Sequence, residues 1–154
     1  MSDPYNLHRF LDAQERVYDT VLAELRAGRK SSHWIWFIFP QIAGLGRSSI
    51  AQQFAVASLD EAKAYLQHPV LGQRLRECTQ LLLDVNGRSA EEIFGYPDYL
   101  KFRSCMTLFS AATTDNTLFK AALHKYFDGQ PDQSTLDILA QQSSYQDNEN
   151  IPRK

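Results

Sequence analysis

Apolar residues recur at intervals of three and four from Leu7 through Phe10, Leu11, Val17, Tyr18, Val21 and Leu22 to Leu25, with Gln14 inside the stripe. This spacing predicts one amphipathic helix. Asp3-Pro4 supplies a start signal, and Gly28 stands where a glycine ends a helix. The opposite face carries Arg9, Asp12, Glu15, Arg16, Asp19, Glu24 and Arg26, and its mixed signs read as a solvated surface with an Asp12/Arg16 pair one turn apart.

The run His33-Trp34-Ile35-Trp36-Phe37-Ile38-Phe39-Pro40 fits neither a twofold nor a 3.6-fold pattern, and it is read as a short helix crossing the core. Pro40, Gly44 and Gly46 make Gln41 to Arg47 a non-regular loop. Downstream, Ser58 with Glu61 and Ser89 with Glu92 have capping-box spacing, Pro69 opens a helix that Asn86-Gly87 ends, and Gly95-Tyr96-Pro97 breaks the chain again. Asp98 to Ala112 reads as a core helix, and Thr117 to Phe127 as a helix stopped by Asp128-Gly129. A short last helix spans Asp132 to about Gln141. No run of alternating strands and no internal repeat emerges. The expectation is an all-α, compact single-domain globule of about six to eight short helices over 1–141, followed by a flexible tail over 142–154.

Composition narrows the function classes. The 154 residues hold 16 Lys plus Arg against 18 Asp plus Glu, a net charge of −2, which disfavours nucleic acid and membrane surfaces as partners. No apolar run is long enough to span a bilayer, and no basic and apolar leader opens the chain. Cys78 and Cys105 lack metal-ligand spacing, so a reducing, cytoplasmic setting without a metal or cofactor is expected.

The motifs of common nucleotide-binding and hydrolytic sites are absent, and the candidate chemistry rests on local crowding. Both tryptophans, His33 and Gln41 fall within nine positions. Trp34 or Trp36 could stack on a planar base that Gln41 orients, or both could be core anchors. His33 suits a proton shuttle or a donor to a buried carbonyl. Gly44, Gly46, Arg47 and Ser48 form a bend with free N–H groups beside a helix start, suited to phosphate or carboxylate. Asp98 and Lys101 lie one helical turn apart, as a groove-lining pair or a salt bridge, and Glu77 is the other candidate acid to activate water. His8, His68 and His124 read as surface or cap residues, and Cys105 as a packed small hydrophobe.

The blocks HWIWFIFPQIAGLG, SLDEAKAYL, HPVLGQRLREC, IFGYPDYLKFRSCMTLF and ALHKYFDG strongly resemble the bacterial family of unknown function numbered 1810, over roughly residues 4 to 140. That resemblance implies a compact helical fold and no established activity; the calpastatin label some members carry has no support in these residues. A fainter similarity, carried by Ala62-Lys63, Pro69, Gly87-Arg88, the Met106 helix and the Ala122 to Phe127 segment, is to the helical NADAR family. It implies a link to ADP-ribose and to cleavage of N-glycosidic bonds, and no catalytic residue is carried over from it. Two functions follow as expectations. One is a pocket for a nucleotide or ADP-ribose-like molecule, with hydrolysis through Glu77 or Asp98 assisted by His33 and Lys101. The other is a non-enzymatic interaction or assembly protein, such as a homodimer, whose Trp-rich segment is core or interface.

Overall fold

The N-terminal stripe folds as two helices rather than one, α1 (His8–Glu15) and α2 (Tyr18–Ala27). At the break the Val17 N–H reaches back three residues to the Gln14 carbonyl, at 3.0 Å. Gln14 itself is buried, donating from Nε2 to the Phe37 carbonyl at 2.7 Å and to the Tyr65 hydroxyl at 3.0 Å. These bonds aim α1 at the Trp-rich segment, while α2 packs on a different helix further along the chain. A stripe serving two neighbours stays apolar through the bend, so its periodicity conceals the break.

The computed structural model describes residues 3–149 as an all-α fold. After α1 and α2 come α3 (Ile35–Ile38), α4 (Ser49–Gln53), α5 (Leu59–Gln67), α6 (Leu71–Asp84), α7 (Ala90–Phe94), α8 (Asp98–Ala112), α9 (Thr117–Phe127) and α10 (Gln133–Glu149). Ten helices among the described residues correct the expected six to eight. The break at Val17 adds one, and the brief segments α3, α4 and α7 stand as helices of their own. No strand occurs among the described residues; Ile42 and Val56 share a single parallel bridge.

Helix α8 is the central post, packed against α3, α5, α7, α9 and α10. Phe102, Cys105, Met106, Leu108 and Phe109 are wholly buried along it. Phe102 stacks on Phe94 at 4.9 Å between ring centroids and meets Phe39 edge-on at 5.0 Å. Each buried ring contributes about 1.5–3 kcal/mol through the area it removes from water. The Trp-rich run enters this core as the short helix α3, with Trp34, Ile35 and Phe39 fully enclosed.

Local signals set the helix ends. The Ser58 hydroxyl accepts from the Glu61 N–H and Ser89 forms a complete capping box with Glu92. Gly28 closes α2 in the left-handed region, at φ 71°. His68 acts as a cap too: its Nδ1 accepts from the N–H groups of Val70 and Leu71, at 3.1 and 3.2 Å, where α6 begins. A Cβ on Gly72 would overlap the Leu66 carbonyl oxygen, so glycine permits α6 to start this close to the end of α5. At the other end of α6, the Lys125 ammonium and the Tyr126 hydroxyl donate to the carbonyls of Leu83, Val85 and Leu82.

The last helix continues through Glu149, past the expected boundary at Gln141, and the Gln142 amide donates to the Ala57 carbonyl at 2.9 Å. Positions 150–154 of the expected tail lie outside the described residues. None of the described helices is long and apolar enough to cross a membrane.

Candidate functional site

The sequence candidates divide among four places. Asp98, Lys101, Trp34 and Trp36 come together around Lys30. One Asp98 oxygen takes the Lys30 ammonium at 2.8 Å and the other takes Lys101 at 3.2 Å, with the Lys30 side chain only 6% exposed. The same two cations sit 5.3 Å from the Trp34 ring centroid and 5.2 Å from that of Trp36. Asp98 is therefore neutralised twice over, which leaves it poorly suited to activate water.

Trp34 has no exposed surface, and its Nε1 donates to Glu24 at 2.9 Å. A ring enclosed in this way cannot stack on a ligand unless the core opens; Trp36 is half-buried. His33 is exposed, and no hydrogen bond to a described residue fixes its ring. Glu77 lies on α6, away from the cluster, accepting from the Tyr18 hydroxyl at 2.8 Å.

The Gly44–Ser48 loop is a helix entry. The Ser48 hydroxyl accepts from the Ala51 N–H at 3.2 Å and caps α4. Gln41 is held through its backbone, its carbonyl accepting from the Val56 N–H at 2.8 Å. A Cβ on Gly46 would stand 2.5 Å from that of Ala51, so glycine is needed for the chain to pass. Gly44, at φ 104°, faces Ile138 of α10, and Arg47 is exposed.

Two charged side chains that read as solvated from sequence are in fact structural. Glu24, 9% exposed, accepts from the Ser31 and Ser32 N–H groups, the Ser32 hydroxyl and Trp34. Burial pushes its pKa up, and these hydrogen bonds outweigh burial to hold it down at about 2. Arg9 reaches the nearly enclosed Glu61 at 2.9 Å. Asp12 pairs with His8 at 3.1 Å rather than with Arg16. Both cysteines are unpaired and buried; burial pushes the Cys78 thiol up to about 12 and raises that of Cys105 well above the ordinary value.

A cavity of about 470 Å³ lies between α8, α9 and the start of α10. Thr107, Ser110 and Ala111 form one wall, Asn116, Lys120, Leu123 and His124 a second, and Gly129, Pro131 and Leu136 the third. Asn116, Lys120 and His124 follow one another at intervals of four and so share one face of α9. Asn116 Nδ2 donates to the Ser110 carbonyl at 3.0 Å. Thr107 Oγ1 accepts from the Asp132 N–H at 2.8 Å and so ties the start of α10 to α8. The His124 ring lies against Gly129, where a Cβ would stand 3.5–3.7 Å from three ring atoms. Asp128 and Gly129 both have positive φ, which turns the chain sharply from α9 toward α10.

No carboxylate lines this cavity, and neither Lys120 nor His124 forms an ion pair with a described residue. It holds none of the sequence candidates. The fourfold spacing of amide, lysine and histidine was the available signal, but such spacing on a surface helix is common. Among the described residues no group of three His, Cys, Asp or Glu side chains could hold a metal ion.

The profile of a family described as "Protein of unknown function (DUF1810)" matches residues 4–139. This chain belongs to the DUF1810 family. The crystal structure of the conserved hypothetical protein Rv1873 from Mycobacterium tuberculosis is similar throughout: 56% identity, a TM-score of 0.89, and coverage of 90% of this chain and 99% of that one. No curated protein matches significantly. Neither match extends the faint similarity to NADAR proteins, so the DUF1810 assignment stands without it. Every wall of the α8–α9–α10 cavity lies inside the stretch that the DUF1810 profile covers.

Proposed function

We propose that this protein binds a small phosphorylated ligand of nucleotide size in the α8–α9–α10 cavity, and that it does so without hydrolysing it. The observation that carries the reading is the presence of Lys120 and His124, neither in an ion pair with a described residue, on the wall of a 470 Å³ cavity with no carboxylate among its lining residues. Small-molecule sites commonly enclose about 300–1,000 Å³, with an apolar lining and a few polar groups that fix orientation. Leu123, Pro131 and Leu136 supply the apolar part. An anion entering here meets the Lys120 ammonium, with no carboxylate among the lining residues. Cleaving an N-glycosidic bond calls for a carboxylate beside the sugar. The two candidate acids are elsewhere, Glu77 on α6 with Tyr18 and Asp98 between two lysines.

The test is thermal denaturation with AMP, NAD and ADP-ribose at millimolar concentration. A rise of several degrees with at least one of them is expected, following from mass action on the folded state. Lys120→Gln, a surface change that leaves the core intact, should weaken that ligand about tenfold at low salt and less as salt rises. No rise with any of the three would sink the proposal.

A second reading has its own observation. Tyr96, just before α8, is 75% exposed and lies beside Tyr99, and Leu100 in the first turn of α8 is 37% exposed, which favours an assembly surface such as a homodimer contact. A strictly monomeric sedimentation profile at high concentration would remove it. Two buried, unpaired thiols support a reducing, cytoplasmic setting for either role.

A further inference from the structure

Helix α8 shows what a serine or threonine hydroxyl does when its role is structural. Ser104 donates to the Leu100 carbonyl and Thr107 to the Arg103 carbonyl, one turn back, at 3.1 and 2.9 Å. Ser110, one turn further on, breaks the series. Its Oγ is buried with no hydrogen-bond partner among the described residues, although Met106 occupies the position four residues back that Leu100 and Arg103 hold for the other two. The end of the helix is secured without it, since the Ser110 carbonyl takes its bond from Asn116. A buried hydroxyl left unpaired weakens a fold, and it is the sole buried side-chain polar atom without a partner among the described residues.

Ser110 is also part of the cavity wall, which Asn116 and Lys120 line as well. Resting on the reading of this cavity as an anion site, we propose that the Ser110 hydroxyl is kept unpaired for the ligand. It turns about χ1 from one staggered position to another, enters the cavity, and donates to the phosphate oxygen whose charge Lys120 balances. The ligand class this selects is a phosphomonoester, recognised by a neutral hydroxyl donor and a lysine rather than by an arginine fork.

Ser110→Ala tests this because stability and affinity should move in opposite directions. Without ligand, the variant is expected to melt about 2–4 °C above the parent chain, since a misplaced polar atom has been removed. By titration calorimetry the parent should bind AMP and ribose 5-phosphate but not adenosine, and Ser110→Ala should bind AMP about tenfold more weakly. Melting below the parent would show that the hydroxyl serves the fold, and the inference would fall. AMP binding that the substitution leaves unchanged would overturn the role of Ser110 while leaving the cavity as the site. If none of the phosphorylated probes binds the parent chain, the reading of the cavity fails, and the assignment of Ser110 fails with it.

Discussion

Replacing Arg9 by methionine is expected to remove about 3–5 kcal/mol of stability, measured as a lowered midpoint in urea unfolding. The guanidinium makes five hydrogen bonds: to the carbonyls of Gln53, Ala55, Tyr5 and Asn6 and to Glu61, all between 2.7 and 2.9 Å. It joins α1 to the α4–α5 connection. Without it the Glu61 carboxylate, on a side chain 4% exposed, retains a single hydrogen-bond partner among the described residues, the Ala57 N–H at 3.1 Å. The double variant Arg9→Met/Glu61→Leu should recover part of the loss, because it removes the stranded charge as well. Arg9→Lys should recover little, since one ammonium cannot reach a fan of acceptors that a planar fork spans. A loss under 1 kcal/mol for Arg9→Met would mean that water replaces the guanidinium and that the pair is not enclosed.

The second large effect belongs to Glu24 and is read in acid. Its carboxyl is held at about 2 in the fold against an ordinary 4.5, so the unfolded chain binds the proton more readily. The stabilisation is fully present above about pH 4.5, and it drains away as the pH falls from 4.5 toward 2. The contribution at stake is on the order of 3 kcal/mol. Other carboxylates titrate in the same range, so the informative quantity is the gap between the parent chain and Glu24→Gln in urea unfolding. A glutamine keeps one acceptor oxygen and loses the charge. The gap should be widest at pH 6 and narrow steadily below pH 4.5; a gap independent of pH would dismiss the ionised latch.

How far the sequence revealed these parts depended on whether the deciding partner was local. The Ser89–Glu92 box and the glycine stop at Gly28 are complete within a few residues, and both were legible. The burial of Glu24 rests on Ser31, Ser32 and Trp34, beyond the end of its own helix, and that of Arg9 on residues more than forty positions away. On a helical wheel both lie among solvated charges, so the pattern assigns them to water. The candidate residues scatter over the fold for a related reason. Crowding of rare residues around His33 and Trp36 was real, but it built a cation-and-indole wedge between helices. The cavity arises where α8, α9 and the turn at Asp128-Gly129 meet, and its lysine and histidine are ordinary residues made notable by the company that folding gives them.

The placement of the two indoles also equips the chain with a pair of optical reporters. Trp34 is sealed, bonded to a carboxylate and shielded from any dissolved quencher, whereas Trp36, two residues away, is only half-buried. Emission from the folded protein is thus expected to be the sum of a blue, inaccessible component and a redder, quenchable one. Loss of the first follows the opening of the α2–α3 junction, and a change confined to the second follows events at the surface, so one cuvette distinguishes unfolding from contact without any label being introduced.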